Sequence, residues 1–371
     1  MVLHICSDFS KQRIYHYLIS ALNKNAISQK VYVPVRSKAE LNQNMDTTLK
    51  NVHYYFRYIL TPIMKVRYFH KIKTVFKDIK TQIDFKAVRC VHAHFLFSDG
   101  GVAYKIKKNF GIDYIVAVRN TDLNIFFKYG FHLRWYGVKI LRNARSIILI
   151  TPSYKHRLLA YVPKKFKKEI ESKIQVIPNG IDPFWFKNKG DIKQLIDSKT
   201  VRLLYCGEFS KNKNIKRVID AVKLLRQEGY EASLSLVGNY GSYKDDINHY
   251  VKQLKTGYQI HDKVNDLNAL KQHYRNADIF IMPSHTETFG LVYIEALSQG
   301  LPIIYTKGQG VDGYFDNDSV GISVVSNDVQ HIKHAIINVI KNYDQYSEYL
   351  FKYLDIFSWN KIAKQYQVIY R

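Results

Sequence analysis
The stretch PSHTETFGLVYIEALSQ, from Pro283 to Gln299, decides how the rest of this chain is read. The apolar run IFIMP leads into it, and after Phe289-Gly290 it continues as LVYIEALSQ, a helix-forming segment. The order is therefore strand, loop bearing Glu287, glycine, helix bearing Glu295. A helix that opens just after a buried strand turns unpaired backbone N–H groups and its positive dipole end toward the carboxyl edge of the sheet, where phosphate binds well. Two carboxylates on either side suit sugar hydroxyls. The stretch reads as a receptor for a phosphate flanked by polyols, which describes a nucleotide-sugar. A bland alternative makes Glu287 a helix cap and Glu295 a solvent-facing residue. It fits Glu295 poorly, because the flanking LVYI and AL imply burial, where an unpartnered carboxylate is costly.

Outward from this stretch, the same alternation fills the chain. VRLLYCGEF is an apolar run followed by the amphipathic IKRVIDAVKLLRQEG, and ASLSLVG, LPIIYT and GISVV are further strands, with LNALKQHYRN a helix. In the first half VLHIC, QKVYVPV, AVRCVHAHF, DYIVAVR, SIILIT and KIQVIPNGID look like strands. Between them KQRIYHYLISALN and the segments around Ile72, Val102 and Tyr136 have helical patterns. Apolar strands without polar alternation, separated by helices, predict parallel sheets covered on both faces. A chain of 371 residues exceeds what one core supports. The expected fold is α/β, with two Rossmann-like doubly wound domains, 1–183 and 184–357, facing across a cleft. Pro183 to Thr200 reads as an irregular linker, and 358–371 as an aromatic helix crossing back to the first domain.

Charge is placed unevenly. The formal net charge is +25; residues 1–183 hold 32 Lys and Arg against 11 Asp and Glu, whereas the remainder holds 24 against 20. Three clusters in the first half, beginning at Tyr54, Phe126 and Tyr161, interleave aromatic or aliphatic residues with cations, as surfaces lying on anionic lipid do. Such clusters also occur as solvated helix faces. Charge alone would also suit a nucleic-acid-binding protein, but no recognisable module of that kind is present. Cys6, Cys90 and Cys206, odd in number and without paired spacing, argue against disulfides and for a reducing compartment. MVLHICSDFS lacks a basic leader and turns polar early, so neither a signal peptide nor a membrane span is expected.

PSHTETFGLVYIEALSQGLPII resembles the signature of the retaining glycosyltransferases of the GT-B fold known as glycosyltransferase family 4. IPNGID, CGEFSKNKNIKRVIDA and the terminal FSW, IA and IY positions follow in the same order and at similar spacing, densely from Ile174 onward and thinly before it. The resemblance implies a hexosyltransferase that needs no metal or other cofactor. It places the acceptor on the first domain and the nucleotide-diphosphate sugar on the second. Glu287 is implied to hold the donor sugar and stabilise charge at its anomeric carbon, Glu295 to grip the ribose, and Lys213 to neutralise the departing diphosphate. The backbone of Phe289, Gly290 and Leu291 is implied to bind that diphosphate, and Gly207, Asn179 and Gly180 to line the donor site. Glu208 stands where many members carry a second diphosphate-binding arginine.

In the first half the pattern departs from the family. SDFSKQR replaces the usual glycine-rich loop, and Arg119-Asn120-Thr121-Asp122 stands where a His-Gly-Thr-Asp-like segment is expected. Arg119 and Asp122 are read as acceptor or donor-sugar contacts. His92 and His94 share one strand face by two-residue alternation. A zinc site would need a third ligand that the sequence does not announce; a core role or a contact at the site are the other readings, and His94 is carried as a candidate catalytic group. Asp316-Asn317-Asp318 resembles a metal-binding triplet but reads better as a turn. The expected function is retaining transfer onto a lipid-linked glycan in cell-surface polysaccharide synthesis, by a cytoplasmic protein peripheral at the inner membrane face, with no nucleic-acid partner. A GT-B relative such as a nucleotide-sugar epimerase is the alternative chemistry.

Overall fold
The computed structural model describes residues 1–371 apart from 196, 198, 255, 317 and 318. The chain divides into two compact units, one formed by Met1–Ile150, Tyr154–Gly180 and Trp359–Arg371, the other by Thr151–Ser153 and Ile181–Ser358.

The first unit is built on β1 (Val2–Ile5), β2 (Gln29–Val35), β3 (Val52–Tyr58), β4 (Cys90–Ala93), β5 (Tyr114–Val118), β6 (Ser146–Leu149) and β7 (Ile174–Val176). All pair in parallel, in the order β3-β2-β1-β4-β5-β6-β7. The inner strands β1, β4, β5 and β6 are buried at every residue, which is why each reads as an unbroken apolar run. The helix Trp359–Tyr370 belongs to this unit. Its Trp359, Ile362, Ala363, Tyr366 and Tyr370 pack with Val2, Leu18, Leu22, Cys90, Ile115 and Ile148. Gly180 makes room for it, since a Cβ there would lie 2.7 Å from the Trp359 ring.

The second unit holds β8 (Thr200–Cys206), β9 (Glu231–Val237), β10 (Tyr258–His261), β11 (Ile279–Ile281), β12 (Ile303–Thr306) and β13 (Gly321–Val324), again all parallel, in the order β10-β9-β8-β11-β12-β13. Strand order reverses beside β1 in the first sheet and beside β8 in the second. Crevices at such switch points, beyond the carboxyl ends of the strands, are where open α/β sheets bind ligands.

Two strands are additions to the sequence reading. VHYYFRY of β3 falls across the basic aromatic cluster, and YQIH of β10 carries no apolar run. Both are edge strands and only partly buried, so neither has the continuous hydrophobic pattern of a central strand. The linker expected from Pro183 to Thr200 also begins in order. Asp182 caps a short helix, Pro183–Lys187, accepting from the Phe184 N–H at 2.9 Å, and Trp185 is buried edge-on against Tyr274 at 5.4 Å. Ile196 and Ser198 of that segment lie outside the described residues.

Candidate functional site
In the second unit the sequence-predicted residues gather at the ends of β8 and β11, the two strands at the switch point. After β11 the loop carries Glu287, and the helix Leu291–Ser298 begins after Gly290. Gly290 has φ +79°, and a Cβ there would lie 2.3 Å from the Tyr293 ring and 3.3 Å from Glu287 Cγ, so only glycine lets the chain turn here. Tyr293 holds the turn from inside, donating its hydroxyl to the Met282 carbonyl at 2.5 Å. The Phe289 ring is buried against Tyr314 and Phe357. No acceptor among the described residues reaches the N–H groups of Phe289, Gly290 or Leu291. Three backbone donors at the positive end of a helix dipole are thus available to an anion.

Lys213 arrives from the loop after β8, just ahead of the helix Ile215–Gln227. Its Nζ lies 2.6 Å from Glu287 Oε2, both side chains being partly exposed. Glu287 Oε1 accepts the Thr288 N–H at 3.0 Å, and Ser284 Oγ approaches Oε2 at 3.5 Å. Asn214 fixes the lysine loop to the opposite strand end: it sits in the left-handed region at φ 60° and donates to the carbonyls of Pro283 and Ser326 at 2.9 and 2.7 Å. Gly207 closes β8, its N–H bound to the Val237 carbonyl at 2.9 Å. Glu208 beside it is exposed, and Arg217, which the sequence reading did not single out, reaches Asn214 Oδ1 at 3.0 Å.

Glu295 sits deeper. Its Oε2 accepts the Tyr274 hydroxyl at 3.0 Å. Burial pushes its carboxyl up to about 7, outweighing that hydrogen bond. It is an acidic group poised near neutrality on the helix whose first donors are free.

The first unit brings together His94, Arg119, Asp122 and Asn179. Arg119 donates from Nε to the His94 carbonyl at 3.3 Å and from Nη1 to Asn179 Oδ1 at 3.2 Å, and its guanidinium carbon is 5.8 Å from the Tyr15 ring centroid. Asp122 is buried, and its carboxylate accepts the N–H groups of Leu96, Phe97 and Arg119 at 3.1, 3.0 and 2.8 Å. It ties the loop after β4 to the loop after β5, and its oxygens face backbone. Even with three donors, burial raises its carboxyl to about 6. His94 is buried as well, with Nε2 3.1 Å from His4 Nδ1.

His4 is the third imidazole that the sequence did not announce. It stands on β1 in register with His92, and the three histidines' nitrogens lie within 4.8 Å of one another. Only the pairing of β1 with β4 brings His4 there. The His92 and His94 rings are stacked, 3.9 Å between centroids and 22° between planes, so their in-plane lone pairs run side by side rather than converging on one ion. His92 Nδ1 lies 2.7 Å from the Tyr370 hydroxyl of the C-terminal helix. Burial holds all three rings well below the usual histidine range, hence neutral. Of the Asp316–Asp318 triplet, Asn317 and Asp318 lie outside the described residues. The three cysteines are free.

Residues 186–353 match the family model described as glycosyl transferases group 1. By sequence the chain is 22% identical to an uncharacterized glycosyltransferase of Methanocaldococcus jannaschii, over 83% of this chain and 82% of that one. By structure it is similar to a sucrose-phosphate synthase from Thermosynechococcus elongatus, with a TM-score of 0.73 and 18% identity over 100% of this chain and 98% of that one. It is also similar to an Anabaena protein, HepE, in complex with UDP-glucose, with a TM-score of 0.66 and 14% identity over 99% of each chain. Both sheets, and the order of motifs along them, agree with that fold. The chain therefore has the GT-B fold, and residues 186–353 carry a glycosyl transferases group 1 region.

Proposed function
We propose that this protein is a glycosyltransferase that moves a hexosyl group, with retention, from a nucleotide-diphosphate sugar to a lipid-linked glycan at the cytoplasmic face of the membrane, in cell-surface polysaccharide synthesis. The observation that carries the donor half is the Lys213–Glu287 pair beside three free N–H donors at the start of the helix Leu291–Ser298. In this reading the diphosphate takes the N–H groups of Phe289, Gly290 and Leu291 and shares Lys213. Glu287 faces the transferred sugar and Glu295 the ribose. The bond between the anomeric carbon and the diphosphate oxygen breaks, the acceptor oxygen bonds to that carbon on the same face, and the acceptor proton passes to the departing phosphate oxygen. Lys213 stabilises the charge developing on that leaving group, and Glu287 the charge on the anomeric carbon. No metal is invoked. The UDP-glucose held by the Anabaena protein of similar fold supports a nucleotide-sugar donor, and the basic, aromatic character of residues 1–183 supports an acceptor anchored in lipid.

Screening UDP-, GDP- and ADP-sugars for thermal stabilisation tests the donor, because a ligand that binds only the native state raises the melting temperature. One nucleotide class should stabilise the chain, and nucleoside diphosphate should be released only when acceptor is present. Stabilisation by none of them, or turnover independent of acceptor, would overturn the reading.

A further inference from the structure
Exposed large apolar side chains of the first unit collect on one face. Ile63 and Val66 precede the helix Tyr68–Gln82, Phe69 lies in its first turn, and Tyr129, Phe131 and Trp135 lie just before and at the start of the helix Arg134–Asn143. Rings join the two segments: Phe69 is 6.4 Å from Trp135 and 5.3 Å from Tyr136, and Tyr68 is 5.9 Å from Tyr136. Val66 is 78% exposed, Tyr129 and Phe131 66% each, and Trp135 57%. Single exposed apolar residues are ordinary, but here two segments rich in them meet through the Phe69–Trp135 contact, and exposed apolar residues grouped in this way mark a surface that is covered in use.

The same face is cationic. Lys65 and Arg67 flank Val66 and are exposed. Lys128 Nζ lies 5.2 Å from the Tyr129 ring, the Arg134 guanidinium carbon 4.1 Å from Phe131, and Lys139 Nζ 6.0 Å from Trp135. Residues 61–77 and 123–168 contain no Asp or Glu. Protein interfaces are depleted of lysine at their cores, whereas rings with a polar edge beside unopposed lysine and arginine suit the headgroup level of an anionic bilayer. No helix among the described residues is long and apolar enough to cross a membrane, so contact through this face would be interfacial.

We propose that this face, centred on Val66, Phe69, Phe131 and Trp135, docks on an anionic phospholipid bilayer, its rings at headgroup depth and Lys65, Arg67 and Lys128 on lipid phosphates. The inference rests on the lipid-linked acceptor proposed above and names the surface that meets the membrane.

Trp135 makes the proposal testable, because the other two tryptophans, Trp185 and Trp359, are buried. The full chain is titrated with phosphatidylcholine vesicles made with or without phosphatidylglycerol, following cosedimentation and tryptophan emission. Anionic vesicles should bind the chain, shift its emission to the blue and expose it to quenching by brominated acyl chains. Trp135→Phe should abolish the shift while leaving most of the binding. Phe69→Ser with Phe131→Ser should weaken partitioning about tenfold or more, and salt should weaken it further. All three positions are exposed, so circular dichroism of the variants should match the parent. Absence of cosedimentation, equal binding to neutral vesicles, or binding indifferent to the Phe69/Phe131 substitutions would overturn the proposal. Transfer to a lipid-linked glycan dispersed in neutral detergent is assayed alongside, without vesicles: vesicle binding without transfer leaves the docking standing and removes the proposed reaction, and transfer without vesicle binding does the reverse.

Discussion

Each sheet has a polar group near its switch point, and the two are built in opposite ways. Beyond β8 and β11, Lys213 and Glu287 face each other at 2.6 Å, partly exposed, next to backbone donors that nothing among the described residues uses. Around β1, β4 and β5, the histidines, Arg119 and Asp122 are buried and largely bonded inward, Asp122 to three backbone N–H groups. Charge near a strand end is therefore not enough to make a site. What distinguishes the second unit is that its spare bonding capacity is within reach: a partly exposed cation and carboxylate and three N–H donors can change partners without breaking the fold, whereas the unpartnered ring nitrogens of the first unit, His4 Nε2, His92 Nε2 and His94 Nδ1, are buried.

The comparison would break most visibly at Lys213. Lys213→Ala and Glu287→Ala should each lower turnover about a hundred- to a thousandfold, the range found on removing one group that stabilises transition-state charge. Their melting temperatures should stay near that of the parent, since the pair is partly exposed. A large loss of stability with activity retained would reverse the assignment. Asp122→Ala should behave the other way. It strands three buried N–H donors and should cost about 2–4 kcal/mol in urea unfolding. An unchanged denaturation midpoint would show that the Asp122 carboxylate is not the tie between the two loops.

Glu295 offers a smaller effect with a defined sign. Its folded pKa of about 7 lies above the ordinary value of 4.5. Between those values the native state keeps a proton that the unfolded chain has released, so this residue makes the protein less stable as pH rises across the window. The ionised form is the better acceptor for two ribose hydroxyls, so affinity for the nucleotide should increase up to about tenfold as pH rises through about 7. Calorimetric titration of wild type and Glu295→Gln across this range should show the slope in the first and none in the second. Parallel slopes would remove Glu295 from the ribose.

The candidate site of the second unit was legible because its parts are close in sequence and tied to backbone geometry. Glu287, Gly290 and Glu295 fall within nine residues, and a strand followed by a glycine and a helix dictates where the free N–H groups point. Lys213, though distant, follows the next strand of the same switch point. His4 and the inward bonding of Asp122 were not legible, since each depends on a neighbour supplied by another strand: His92 and His94 across from β1, and the loop after β4 for Asp122. The edge strands β3 and β10 escaped for a related reason, because partial burial leaves no apolar run to read.

By itself the sequence determined the α/β class, the two sheets and the local chemistry of Pro283 to Gln299, because hydrophobic periodicity and the conformational freedom of glycine act over a few residues. Only tertiary structure decided which polar groups have bonding capacity to spare. It paired Lys213 with Glu287, buried the histidines under the C-terminal helix, turned Asp122 inward and gathered Phe69 and Trp135 on one face. Whether a charge is buried, paired or free depends on what packs against it, and that is set by strand pairing across tens to hundreds of residues.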